Sequence, residues 1–134
     1  MKVVVSGTRD GRLTAGIRLL ARRLNRDFGS PRIDVTVIFV SDRYIHDLNL
    51  RYRKRDRPTD VLSFNLQSPI SNSQSSSPLG EVYVSRDTAR VQAREYAVPY
   101  ASEVRRLVLH GLLHVLGLTH RQMEPLYAKY LGRA

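Results

Sequence analysis

Leu107-Val-Leu-His110-Gly-Leu-Leu-His114-Val-Leu-Gly117-Leu-Thr-His120 is the stretch around which the chain is organised. It carries three of the protein's four histidines. On an α-helix four residues advance about 400°, so His110 and His114 fall on one face, one turn apart. That spacing lets two imidazoles grip one metal ion. Gly117 is suited to stop the helix in the left-handed conformation and turn the chain, which would bring His120 toward the same ion. The pattern H-x-x-x-H-x-x-G-x-x-H thus describes three ligands with a coordination position left for water, the catalytic arrangement, since structural zinc is normally closed by four ligands. A single histidine on so apolar a helix would be a hydrogen-bonded core residue; three at this spacing point to metal.

Outward from that helix, the 134 residues suit one domain, 1–134, with one core. The N-terminus does not read as a signal peptide, and no apolar run is long enough to span a bilayer. There is no cysteine, so a metal site must use nitrogen and oxygen donors, in keeping with a cytoplasmic protein. Net charge is +10, and 19 of the 22 basic residues are arginine, whose planar fork suits phosphate. A polyanion partner, most simply a nucleic acid, follows; solvated helix faces are the competing explanation.

Residues 2–5 read as a strand, and 11–28 as a helix with the apolar stripe Leu13, Ile17, Leu20, Leu24 and Phe28. Residues 33–40 form a nearly continuous apolar strand, interior to a sheet. Ser41 caps a helix from Asp42 to Arg53, with Tyr44, Leu48 and Tyr52 repeating every four residues. After Pro58, Val61–Phe64 is a third strand. Residues 68–78, rich in serine, read as a mobile loop. Gly80–Ser85 is a fourth strand, reached too quickly for a helical crossover and so antiparallel to the third. Helices follow over 86–96, from Pro99 through His114, and over 122–131. The order β-α-β-α-β-β-α-α-α predicts an α+β domain, a small four-stranded mixed sheet packed by about five helices.

Residues 51–57 hold five cations and one aspartate, a net +4 in seven residues. Beside a metal hydrolase site, such a cluster would clamp a phosphodiester; it also suits a helix C-terminus. Position 111 bears on the reaction class. Helical H-E-x-x-H proteases place their general base directly after the first histidine, and here that residue is Gly111, which disfavours proteolysis. His46 reads as a surface residue without a role. The stripe Arg86, Arg90 and Arg94 reads as a solvated face.

Three ordered segments carry a resemblance: L-N-x-x-Y-R-x-[KR]-D-x-P-T-D-V-L-S-F over Leu48–Phe64, L-G-E-V-x-[VI]-S over Leu79–Ser85, and H-G-x-L-H-x-x-G-x-x-H over His110–His120. Together they resemble the YbeY family of metal-dependent endoribonucleases and rRNA maturation factors. The resemblance implies a metzincin-like three-histidine helix and one zinc ion per chain on His110, His114 and His120. It implies Arg53 as the catalytic or RNA-contacting cation, while the charge of the cluster makes Arg51, Lys54, Arg55 and Arg57 the further RNA contacts. It further implies a single-strand-specific endoribonuclease acting on ribosomal RNA, near the 3′ end of the small-subunit RNA, and in ribosome quality control. Its partners would be RNA and the ribosome or a small-subunit precursor, without membrane or small-molecule cofactor. Two departures stand out. Thr119 replaces the family's usual aspartate before the third histidine, removing a carboxylate that could orient a ligand, and Glu81 replaces its usual aspartate. Water attack and attack by the RNA's own 2′-hydroxyl both fit the chemistry. The rival reading is a non-catalytic ribosome-assembly factor with structural zinc, closed by a carboxylate such as Glu103 or Glu124.

Overall fold

A computed structural model describes residues 1–66 and 79–132. The Ser-rich stretch read as a mobile loop lies outside the described residues.

The elements are β1 (Lys2–Ser6), α1 (Gly11–Phe28), β2 (Asp34–Val40), α2 (Asp42–Arg53), β3 (Val61–Leu66), β4 (Leu79–Ser85), α3 (Arg86–Glu95), α4 (Tyr100–Val115) and α5 (His120–Leu131). The sheet order is β1-β2-β4-β3, with β1, β2 and β4 mutually parallel and β3 antiparallel to β4. The apolar β2 is interior, as its composition requires. The α+β reading with a mixed four-stranded sheet and five helices holds.

Side-chain alternation along the strands divides the interior in two. Val35, Val37 and Phe39 of β2, with Val82 and Val84 of β4, join Ile17 and Leu24 of α1 and Leu109, Leu112 and Leu113 of α4 in the main core. Each fully buried Leu or Ile contributes about 1.5–3 kcal/mol. The other face, with Val40, Leu62, Phe64 and Tyr83, packs under Ile45 and Leu48 of α2.

Two expectations for the helices need correction. The four-residue repeat Tyr44, Leu48, Tyr52 is not the buried stripe of α2: Ile45 and Asn49 are buried, whereas Tyr44 and Tyr52 are exposed. Helix α5 begins at His120 rather than near Gln122, because Thr119 caps it. Arg86 is also no mere solvated cation, since its guanidinium donates to the carbonyls of Phe39 (2.9 Å) and Gly7 (3.3 Å) and ties the end of β2 to α3.

Candidate active site at the free edge of the sheet

Helix α4 is held against the sheet by the absence of a side chain. A Cβ at Gly111 would fall inside contact distance of Val82 Cγ1 and 3.0 Å from its Cγ2. Position 111 therefore faces β4, and a glutamate has no room there. The base of an H-E-x-x-H protease is excluded by packing as well as by sequence.

His110, directly before Gly111, and His114, one turn after His110, lie half-buried on the face toward β3. Helix α4 then stops in a Schellman turn: Gly117 N–H donates to His114 O (2.9 Å), Leu118 N–H donates to Leu113 O (3.1 Å), and Gly117 takes φ 88°. Two residues later Thr119 starts α5 with a capping box. Its hydroxyl accepts from Gln122 N (3.2 Å), and Gln122 Oε1 accepts from Thr119 N (2.8 Å). His120 is thereby fixed as the first residue of α5.

These two turns bring the three imidazoles together. Ring centroids stand 4.5 Å apart for His110 and His114, 4.9 Å for His114 and His120, and 5.8 Å for His110 and His120. Imidazoles sharing one zinc ion, each through a nitrogen about 2.0–2.1 Å away, have centroids about 5 Å apart. Among the described residues no three His, Asp or Glu side chains already form a finished cage. What the structure supplies is ring spacing, and rotation about the broad χ2 well of histidine aims the nitrogens.

Electrostatics suit a cation. Burial, assisted by the neighbouring His114, draws His110 below the ordinary imidazole range. Burial, then His120 and Arg53, does the same for His114. Both are therefore neutral near pH 7, with lone pairs free for a metal. His110 Nδ1 lies 2.6 Å from the Tyr127 hydroxyl, and the two ring planes lie within 14° of each other. That contact occupies Nδ1 and leaves Nε2 as the nitrogen free to face a cation. Tyr127 carries no local sequence signal, because the contact joins α4 to α5 across 17 residues.

Thr119 stands as an N-cap, where threonine and aspartate serve alike, and the hydrogen bond to the His110 imidazole comes from Tyr127. Glu103 is not a fourth ligand. It is 2% exposed, and its carboxylate accepts from Arg106 Nε (2.9 Å), Arg106 Nη2 (2.6 Å) and Gln92 Nε2 (2.6 Å).

Arg53 comes from the opposite side of the sheet. It ends α2 and reaches around the free edge of β3, where Nη2 donates to Ser63 O at 2.9 Å and the guanidinium lies 5.0 Å above the Phe64 ring. With Val61, Leu62, Ser63, His110 and His114 it lines a cleft of about 340 Å³. Arg51, Lys54, Arg55 and Arg57 are exposed nearby without lining the cleft. Their segment is pinned by Asn49, which is 3% exposed and donates to Arg57 O (2.8 Å) and whose own carbonyl accepts from the Arg55 N–H (3.2 Å). Asn49 stood in the motif without an assigned role. His46, placed at the surface, pairs with Asp56 of the same segment at 2.7 Å.

A larger concavity of about 700 Å³ lies among Tyr96, Ser102, Arg105, Arg106 and Leu131. Its buried carboxylate, Glu103, is fully hydrogen-bonded, so the chemistry belongs to the smaller cleft. Among the described residues no helix is long and apolar enough to cross a membrane.

Comparison with known proteins agrees with this geometry. The family model described as endoribonuclease YbeY matches residues 12–128. The endoribonuclease YbeY of Pelotomaculum thermopropionicum is 38% identical over 92% of this chain and 80% of that protein. That of Syntrophotalea carbinolica is 38% identical over 85% and 81%. That of Aquifex aeolicus is 40% identical over 70% of this chain, which spans 61% of that relative. The solution structure of TM1509 from Thermotoga maritima superimposes with a TM-score of 0.66 at 28% identity, covering 96% of this chain and 86% of that one. With the family model spanning residues 12–128 and relatives 38% identical over most of their length, the chain belongs to the endoribonuclease YbeY family.

Proposed function

We propose that the chain is a zinc-dependent endoribonuclease that cleaves single-stranded regions of ribosomal RNA in the cytoplasm, with maturation of the small-subunit RNA 3′ end and ribosome quality control as its setting. The observation that carries this reading is one cleft lined by His110, His114 and Arg53, with His120 turned toward the same rings. His110, His114 and His120 would hold the ion. A zinc ion so bound supplies Lewis acidity, lowering the pKa of a water and polarising a phosphoryl oxygen.

The chain's own groups do the rest. Arg53 spends one N–H on Ser63 O and keeps the remainder of its five donors for the non-bridging oxygens of a phosphodiester, whose charge grows during cleavage. The backbone carbonyl and the Phe64 ring fix the guanidinium before substrate arrives, so little is lost in ordering it. Arg51, Lys54, Arg55 and Arg57 attract the RNA backbone on either side. Tyr127 would accept from the His110 Nδ1–H when Nε2 holds the ion.

The test is cleavage of a small-subunit rRNA precursor by the native protein and His114→Ala, with and without chelator. Cleavage should vanish with either, while the variant keeps its fold and its RNA binding. Equal cleavage by both proteins would refute catalysis at this site. A variant that binds RNA but unfolds on metal removal would favour a structural ion and an assembly factor. The product ends separate the two routes, since a 2′,3′-cyclic phosphate marks attack by the RNA's 2′-hydroxyl.

A further inference from the structure

Tyr44 and Tyr52, which the core of α2 does not use, are 51% and 57% exposed. They stand at the ends of a continuous aromatic row. Tyr44 lies against Tyr83 (centroids 6.2 Å apart, planes 26°), Tyr83 meets Phe64 edge-on at 6.0 Å, and Phe64 meets Tyr52 edge-on at 5.5 Å. The two inner rings are half-buried and rigid: Phe64 packs beside Leu62, and the Tyr83 hydroxyl donates to Glu81 (2.9 Å), which occupies that carboxylate. The outer two offer open faces, eight residues and so about 12 Å apart along α2.

The row is continuous with the cleft. Arg53 covers the Phe64 ring at 5.0 Å and lines the cleft with His110 and His114, while Arg51 lies 6.0 Å from the Tyr52 ring. Exposed Lys54, Arg55 and Arg57 follow at the same end. Aromatic faces with cations gathered at one end complement a chain of apolar bases and phosphates.

We propose that this row is a base-stacking platform for unpaired RNA nucleotides beside the cleaved bond, with Tyr52 and Tyr44 as its two stacking surfaces. The inference rests on the RNA-cleaving reading and adds to it a physical source of selectivity for single strands. The two open faces stand about 12 Å apart along α2, farther than neighbouring nucleotides of a stacked strand, whose rise is about 3.4 Å. Each tyrosine therefore takes a base turned out of the strand's own stack. An unpaired strand does so readily, whereas a duplex keeps its bases inside the helix. Stacking reads no hydrogen-bonding edge, so the platform is tolerant of sequence.

The experiment measures binding of the full chain, native, Tyr52→Leu and Tyr44→Leu, to a fluorescent single-stranded RNA of about 12 nucleotides, an abasic strand of the same length and a duplex. Leucine keeps apolar bulk at exposed positions, and thermal unfolding checks that the fold is intact. Each substitution should weaken single-strand binding about 5- to 100-fold, the loss of one stacked base, and leave binding to the abasic strand and the salt dependence unchanged. Variants that match the native protein on single strands, or that lose the same factor on the abasic strand, overturn the platform alone. A native protein that binds none of the three overturns the RNA reading and the platform with it. Unchanged RNA binding with a native dimer that Tyr44→Leu turns into a monomer would assign the row to a second copy of the chain.

Discussion

Removing one oxygen atom, in Tyr127→Phe, should cost zinc affinity without harming the fold. The hydroxyl lies 2.6 Å from His110 Nδ1. When Nε2 gives its lone pair to a cation, the ring proton must sit on Nδ1, which then donates to the tyrosine oxygen, and the positive charge on the ring strengthens that bond. In the metal-free state the neutral imidazole makes an ordinary hydrogen bond there, so the substitution removes more from the bound state than from the free one. Leaving a half-buried polar atom unpaired costs about 1–3 kcal/mol. A water admitted into the vacated space returns part of that, which sets the expected loss of affinity at about 10-fold and no more than about 100-fold. Phenylalanine keeps the ring and its packing in α5, and water can reach the half-buried Nδ1, so the melting temperature of the metal-free variant should stay close to native. Competition against a chelator of known zinc affinity, near neutral pH, reads the effect directly. A variant whose affinity stays within twofold of native would show that Nδ1 is not the buttressed atom and that His110 does not present Nε2 to a metal.

Three further outcomes follow from the same geometry. Gly111→Ala should destabilise the protein by about 1–2 kcal/mol in denaturant unfolding, the overpacking against Val82 outweighing a gain in helix propensity of about 1 kcal/mol. Val82→Ala in that background should recover most of the loss, and a Gly111→Ala protein as stable as native would show that α4 does not rest on β4 at this point. Thr119→Ala should cost about 1 kcal/mol and weaken zinc binding by loosening His120, whereas Thr119→Asp should keep both within a few tenths of a kcal/mol of native; chelator competition and unfolding curves on the two variants would separate the cap from a direct role at the metal. For pH, burial holds His110 and His114 below the unfolded value of 6.5, so the unfolded chain binds more protons in that window. Stability of the metal-free protein is then complete above pH 6.5 and lost progressively as pH falls; a His110→Asn, His114→Asn double variant should lose less between pH 7 and 5, and identical profiles would contradict the assignment.

Much of this architecture was legible because local and tertiary preferences agree. The stripe Leu13, Ile17, Leu20 and Leu24 is buried as its period demands, and the apolar β2 is interior. The misreading of α2 has a geometric cause. At about 100° per residue Tyr44 lies about 120° from the midline set by Ile45 and Asn49, off the buried face, whereas Tyr52 lies about 40° from it but in the last turn of α2. The early start of α5 was signalled after all by Thr119-His-Arg-Gln122, a capping-box spacing. The three histidines were legible because two turns, at Gly117 and Thr119, are written in local residues. Tyr127 was not, because its approach to His110 depends on how α5 packs against α4, and no local pattern encodes that.

The site also explains why one motif carries so many fixed features. Arg53 and the histidines reach the cleft from opposite faces of the sheet, which is feasible only because β3 is an edge strand. Along β3, Leu62 and Phe64 point to the α2 face, while Val61 packs toward the main core under α4. Phe64 supports the Arg53 guanidinium and the carbonyl of Ser63 receives it, so adjacent residues hold one cation from a face and from the edge. A one-residue slip of β3 against β4 would exchange the two faces. Phe64 would leave Arg53, and Val61 would leave the core. Asp60 opposes that slip, its side chain accepting from Val61 N (2.8 Å) and its carbonyl from Ser85 N (2.9 Å) at the end of β4. Pro-Thr-Asp-Val-Leu-Ser-Phe is therefore a register lock as much as a wall of the site, and substitutions at Asp60 should uncouple Arg53 from the histidines without touching either.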